Sequence, residues 1–558
     1  MEKWHIALTA ISAYLVMAFA IGIMAGRGRS FFSLSEYAVG DRSFNLFIMW
    51  FLMGGTIFSA FAFLGGPGWA YSKGAASFYI LVYCTLGLMP WYVIGPKVSK
   101  IGKKNNYITM GDFLGDRFQS KILTILVGIV AILAFIPYLT LQIKGMAYIF
   151  NVLTYGNIPY WLGAFLSFGI VVVYVATSGV RGAAWSDVFQ AILMLLIAWV
   201  LGIYFINSLH DGVEDMFIKI AENNIDFLVI GKEGSLMSEA RYSSNIIISM
   251  IGFVMWPHLF TKSYTTTEKR IKTTVAVYPI FALFLLPVLF IGFSGIEVVA
   301  QGELERPGQI LPYLITNHLT SSGVLYGIVG AGALAAAMSS SDAITHGASV
   351  SFGRDICKVV FPKLSEKTEL WIMRMAVFLV GFTAYFIAIF GSDGLIQLLL
   401  GAYGPIAQLA PGVYSALFYK KANAKSIIIG LLIGVIVTIY YQYFSTKTLF
   451  DIHAGLIGFN YRMTEISGAF GKVQLKKFPS ILRDSKKRYH TLEKCITHKE
   501  IKFRHVNTGS EPNYDTFVIS IENKKLRNKV ISLLNKAGFG TKNLPDAFNW
   551  HCAYFWEH

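Results

Sequence analysis

The sequence predicts an all-α membrane protein of twelve spanning helices, followed by a small soluble α/β segment. Three observations carry that expectation. Of 558 residues, 54% are hydrophobic and only 14% charged, whereas an ordinary soluble domain holds about 25% charged residues. Twelve stretches approach the length of about 20 mostly apolar residues that spans a bilayer. The composition then changes: residues 455–558 carry a net charge of +9, against +7 for all of residues 1–454. Positive charge spread in this way over loops and a tail argues against nucleic acid as a partner. The cysteines, Cys84, Cys357, Cys495 and Cys552, fall at no metal or disulfide spacing.

The apolar stretches lie near 5–25, 47–72, 76–96, 122–150, 159–178, 183–207, 243–261, 274–297, 322–352, 371–391, 394–418 and 425–444. The first is too long for a secretory h-region and runs into Met24-Ala25-Gly26-Arg27 without a clear cleavage site, so it reads as a spanning helix. The second contains Gly54-Gly55 and Gly65-Gly66-Pro67-Gly68, and the seventh Trp256-Pro257-His258. Such breakers free backbone carbonyls that must find partners inside the membrane. Lysine and arginine gather in alternate loops (26–46, 97–121, 262–272, 353–374 and 419–425, with Arg181), which places those loops in the cytoplasm and the amino terminus outside.

Helix 2 with FLGGPGWAYSKG, the loop NNYITMGDFLGDRF (105–118), VRGAAWSDVFQ (180–190), AAAMSSSD (335–342) and APGVYSALFYKKANAK (410–425) together resemble the sodium:solute symporters. The resemblance covers residues 1 to about 455, in order. It implies a LeuT-type core in which helices 2–6 and 7–11 form inverted five-helix repeats, with one broken helix in each half. It also implies alternating access and uptake of a small-molecule substrate across the lipid bilayer of the cell membrane, driven by a sodium gradient.

Sodium is a hard cation that takes several oxygens. Ser339 and Ser340 follow Ala336 by one turn, so its carbonyl and their hydroxyls can converge. Residue-by-residue match to the family adds the carbonyls of Gly55 and Phe58. Asp187 is either an interfacial acid paired with Arg181 or, as in the family, an acid near the serines that serves a second ion. The family's second site also uses hydroxyls at two positions where this chain has Asp342 and Ala343. Asp342 is therefore read as a sodium ligand or a proton carrier.

The substrate contacts proposed from sequence are Lys144 and Gln142 in helix 4 and Trp256 at the break in helix 7. Sugar-transporting relatives have a glutamine where this chain has Ala62, and helix 3 offers no charged group, so a polyol is disfavoured. A buried Lys144 ammonium would hold the carboxylate of an organic acid or amino acid; the alternative is a lysine that snorkels to the interface.

Residues 456–558 form a second region. GFNYRMTEISGAFGKVQLKKF (458–478) and TKNLPDAFNWHCAYFWEH (541–558) resemble DegT-type sugar aminotransferases. In those enzymes the residue matching Asn460 approaches the phosphate of pyridoxal phosphate. A helix is expected near 464–496, strands near 501–505 and 516–521, and a second helix near 524–537. The lysine that anchors the cofactor lies upstream of this motif in the family, where this chain is membrane, and the fragment stops within its domain. Pyridoxal phosphate binding and a membrane-tethered aminotransferase are thus disfavoured. A sensor built on a transporter scaffold is the third reading. The join is either a gene fusion or a product of recombination or assembly, with the second favoured.

Overall fold

The computed structural model describes residues 3–28, 30–230, 239–304, 306–319, 323–391, 402–443, 465–503, 514 and 517–537. The chain divides into two compact units, Met1–Gly455 and Leu456–His558.

Every regular element among the described residues of the first unit is helical. Its outward faces carry large apolar side chains, among them Leu133, Phe382, Phe386 and Ile436. That surface would drive association in water and is at home in hydrocarbon. Six helices among the described residues are each long and apolar enough to cross a membrane, and the bent pair Leu46–Ile57 and Phe61–Gly87, turned by 55°, makes a seventh. The count is below the twelve stretches read from sequence for a physical reason: several are broken, and one helix holds two of them. Residues 392–401, at the start of the eleventh stretch, lie outside the described residues.

That double helix is Tyr160–Leu209, 50 residues long. Straight, it would measure about 75 Å, far more than the roughly 30 Å of hydrocarbon. Gly179 divides it with φ 56 and ψ −144, a conformation that L side chains rarely adopt. A Cβ there would also stand 2.5 Å from the Tyr37 carbonyl oxygen.

The first broken helix, Leu46–Ile57, ends at Phe58, which is extended at φ −91 and ψ 94. The chain resumes in a π turn, Phe61–Gly65, and the helix Gly66–Lys73. The break thus follows Gly54-Gly55, while the second glycine cluster stays helical. Pro67 sits in the first turn of its helix, where a missing N–H costs nothing. The second broken helix, Glu239–Phe253, stops before Trp256 and restarts as Pro257–Phe260, followed by the 3-10 turn Thr261–Tyr264. Between the breaks runs the serine helix, Gly323–Ser351, which packs on Tyr160–Leu209, Lys121–Leu153 and Lys3–Met24. Small residues allow the close approach: the run Ala333 to Ala337 is buried.

The second unit has a helix, Glu465–Cys495, an antiparallel pair of strands, Ile501–Phe503 and Ile519–Ile521, and a helix, Lys524–Lys536. Ile501 pairs with Ile521. Asn460 lies outside the described residues.

Candidate functional site

The break at Phe58 creates the site. Phe58 N–H closes the last turn on the Gly54 carbonyl at 3.1 Å. The next turn would bring Ala60 N–H onto Thr56, but Ala60 donates instead to Gln142 Oε1 at 2.9 Å. The serine helix meets the freed carbonyls. Ser339 Oγ donates to Gly55 O at 2.9 Å and lies 3.2 Å from Ala336 O. Ser340 Oγ donates to Thr56 O at 2.9 Å. Gly55 O, Ala336 O and Ser339 Oγ therefore form one buried cluster of hard oxygen donors of the kind sodium takes. Ser340 faces the Thr56 carbonyl, and Phe58 lies two residues on, extended at the break, with its ring stacked 5.5 Å from that of Phe281.

Asp187 abuts this cluster. A Cβ added to Gly55 would lie 3.4 Å from the Asp187 backbone oxygen and 3.5 Å from its Cβ. The carboxylate is 0% exposed and accepts from Thr56 Oγ1 at 3.0 Å through Oδ2, leaving Oδ1 without a hydrogen-bond partner. Arg181 does not reach it. That guanidinium pairs with Glu36 and donates to Gly40 O and Ser43 Oγ, each at 2.9 Å. Asp342 is equally buried; Tyr174 Oη donates to its Oδ2 at 2.8 Å and Ser186 Oγ at 3.0 Å, again with Oδ1 unpartnered.

The sequence reading assigned Lys262 to a cytoplasmic loop, and the fold corrects this. Lys262 is 4% exposed. Its ammonium donates to Leu52 O at 2.7 Å and to Thr56 Oγ1. Thr56 Oγ1 in turn donates to Asp187 Oδ2, so the ammonium and the carboxylate share one hydroxyl. The signal was present in the sequence: a helix restarting at Pro257 is still turning at Lys262.

A cavity of about 30 Å³ opens between the two breaks, lined among others by Thr56, Ser59, Tyr138, Trp256, His258 and Tyr403. It admits a water or two and would have to widen for an organic solute. Trp256 belongs to it, with ring centroids 4.7 Å from Tyr138 and 5.7 Å from Tyr403. Gln142 and Lys144 do not line it. Gln142 caps the break, and Lys144 Nζ donates to Gly391 O at 2.7 Å, at the carboxyl end of the helix Glu366–Phe390. A cation there suits the negative end of the helix dipole.

Two broken helices beside a small polar site deep in an apolar bundle are the arrangement of secondary transporters. Residues 37–434 match the sodium:solute symporter family, and the chain belongs to that family. An uncharacterized symporter of Bacillus subtilis, YhjB, is 31% identical over 82% of this chain and 95% of its own length. The sodium/pantothenate symporter of Escherichia coli is 28% identical over 77% of this chain and 90% of its own. A monocarboxylate transport permease of Rhizobium johnstonii is 25% identical over 77% and 87%. Among solved structures, a Na+-coupled sialic acid symporter in a substrate-bound outward-open state aligns with a TM-score of 0.65 at 18% identity, covering 80% of this chain and 94% of that one. The fold is therefore LeuT-type, and the chain is a membrane symporter. Residues 437–554 match the DegT/DnrJ/EryC1/StrS aminotransferase family, as a carboxyl-terminal fragment.

Proposed function

We propose that the chain couples sodium entry to uptake of a small carboxylate-bearing solute, an organic acid or an amino acid, by alternating access. The observation that carries the reading is the convergence of Gly55 O, Ala336 O and Ser339 Oγ where the first broken helix meets the serine helix. Sodium bound there would join the two elements, and its loss to the cytoplasm would free them to part. The orphaned oxygens of Asp187 and Asp342 suit a second cation or a transferable proton at the neighbouring helix contact. For the solute, the aromatic cavity with Ser59, Thr56 and His258 favours a compact molecule with one polar end over a polyol. Relatives that carry pantothenate, proline and monocarboxylates support the class.

The lysine- and arginine-rich alternate loops support a cytoplasmic position for those loops and an outside amino terminus. The test is uptake by proteoliposomes of a panel of carboxylates, amino acids and sugars under an imposed sodium gradient. Accumulation of a carboxylate or amino acid that stops when sodium is replaced by choline is expected. Sodium-independent accumulation would overturn the coupling, and preferential sugar uptake the solute class.

A further inference from the structure

Thr56 is the hinge of a buried chain of charges. Its hydroxyl oxygen receives a hydrogen bond from the Lys262 ammonium, and its own proton goes to Asp187 Oδ2. Its carbonyl faces Ser340, and its neighbour Gly55 faces Ser339. One residue therefore touches a cation, an acid and the serine helix at once. The polarity of the relay is fixed, because a hydroxyl has a single proton to give. Lysine side chains ordinarily run outward to put the charge in water. Here the charge is turned inward onto the Leu52 carbonyl, one turn before Thr56 in the same helix.

We propose that Lys262 is a resident counter-cation of the sodium site, a specificity-determining residue that neutralises Asp187 through Thr56 and so limits how tightly sodium is held. The inference rests on the reading of Gly55, Ala336 and Ser339 as the sodium site. Charges in a buried, poorly screened region act on one another strongly. With Lys262 in place, a sodium ion beside Gly55 meets an acid that already has a cation. Without it, Asp187 would add its full charge to the site, and release toward the cytoplasm would slow. A lysine serving packing alone would give no such dependence on Asp187.

The experiment titrates sodium chloride against choline chloride at constant ionic strength and follows the melting temperature of the purified full chain. Lys262→Met should lower the half-saturating sodium concentration by about fivefold or more, the lower end of coupling between linked sites. Asp187→Asn should raise it, and the double variant should return toward the wild-type value. An unchanged or raised value in Lys262→Met overturns the proposal. If that variant does not fold, the double variant must hold sodium more tightly than Asp187→Asn alone, and equal or weaker binding overturns it. If the double variant and Lys262→Arg also fail to fold, Lys262 is a packing residue and the proposal falls. Ser339→Ala separates the two readings. Loss of its sodium response with no effect of Lys262→Met leaves the site standing and removes the counter-cation, whereas an unaltered response in Ser339→Ala removes both.

Discussion

Ser339 Oγ lies 2.9 Å from the Gly55 carbonyl oxygen, a contact that spans 284 residues of sequence. It joins the serine helix to the first broken helix at the point where the helical ladder fails. A hydroxyl in this place would offer a sodium ion an oxygen that a methyl group cannot. Ser339→Ala should weaken the sodium response roughly ten- to hundredfold, as expected for loss of one charge-assisted contact of about 1.5–3 kcal/mol. Ser340→Ala should act in the same direction by releasing the Thr56 carbonyl. Sodium titration of uptake or of melting temperature reads both, and an unchanged half-saturation in the two variants would sink the site.

Arg181 and Glu36 form a buried ion pair, each side chain 8% exposed. Arg181 also donates to Gly40 O and Ser43 Oγ, so one guanidinium fastens the segment around the short helix Leu34–Val39. Arg181→Ala would strand Glu36 without a partner, at a cost of about 3–5 kcal/mol. Lysine would not rescue it, since a single ammonium lacks the planar fork. Yield of monodisperse protein in detergent should fall sharply for both variants. Arg181→Met combined with Glu36→Gln, which removes both charges, should recover part of the loss.

Two glycines on one helix should respond in opposite ways. At Gly179 the backbone sits at φ 56 and a Cβ would meet the Tyr37 carbonyl oxygen at 2.5 Å. Gly179→Ala should abolish folded protein. Gly169 has open space around its Cβ position, so Gly169→Ala should leave stability unchanged or raise it by up to about 1 kcal/mol, the helix preference for alanine. Melting temperatures in detergent decide the comparison, and equal behaviour of the two variants would contradict the kink.

The fold class was legible because the hydrocarbon imposes a length and an apolar composition that a single chain displays openly. The break at Trp256-Pro257 was legible for the same local reason, since proline cannot continue a helix inward. The other break fell after Gly54-Gly55, and sequence could not choose between the two glycine clusters because the choice depends on what packs against each. Ser339 and Ala336 could be paired by helical spacing alone. Thr56 and Lys262 were missed: Pro257 signals the restart of the helix, but placing Lys262 in that restarted turn also requires knowing what packs against it, the Leu52 carbonyl and Thr56 of the other broken helix. Lys144 was visible as a charge in an apolar run, but its partner, Gly391, is 247 residues away.

That partner decides the prediction for Lys144. Its ammonium holds Gly391 O at the end of the helix Glu366–Phe390 and does not line the cavity. Lys144→Met should therefore cost stability, by about 1.5–3 kcal/mol for a charge-assisted bond. The sodium half-saturation and the substrate KM should stay within about twofold, because uniform binding is untouched. Melting temperature and uptake kinetics measured on the same preparation separate the two effects. A KM raised tenfold or more for an anionic solute at unchanged stability would return Lys144 to the substrate site.

The carboxyl-terminal unit allows a prediction about chemistry. Pyridoxal phosphate chemistry needs a lysine anchored in a large α/β domain, whose strands and helix ends position the ring and hold the phosphate. The described residues of this unit supply two helices and a ribbon of two short strands. Its lysines lie largely on the helix Glu465–Cys495 and the helix Lys524–Lys536, and Lys477, Lys486, Lys487, Lys525 and Lys529 are at least partly exposed. Solvated amines of this kind react with an aldehyde weakly and without selection. Purified full-length protein treated with pyridoxal phosphate and then borohydride should show scattered, substoichiometric labelling by mass spectrometry. Amino transfer from glutamate to a keto-sugar nucleotide should stay at background. One lysine labelled to completion, together with measurable transfer, would make this unit an enzyme in its own right.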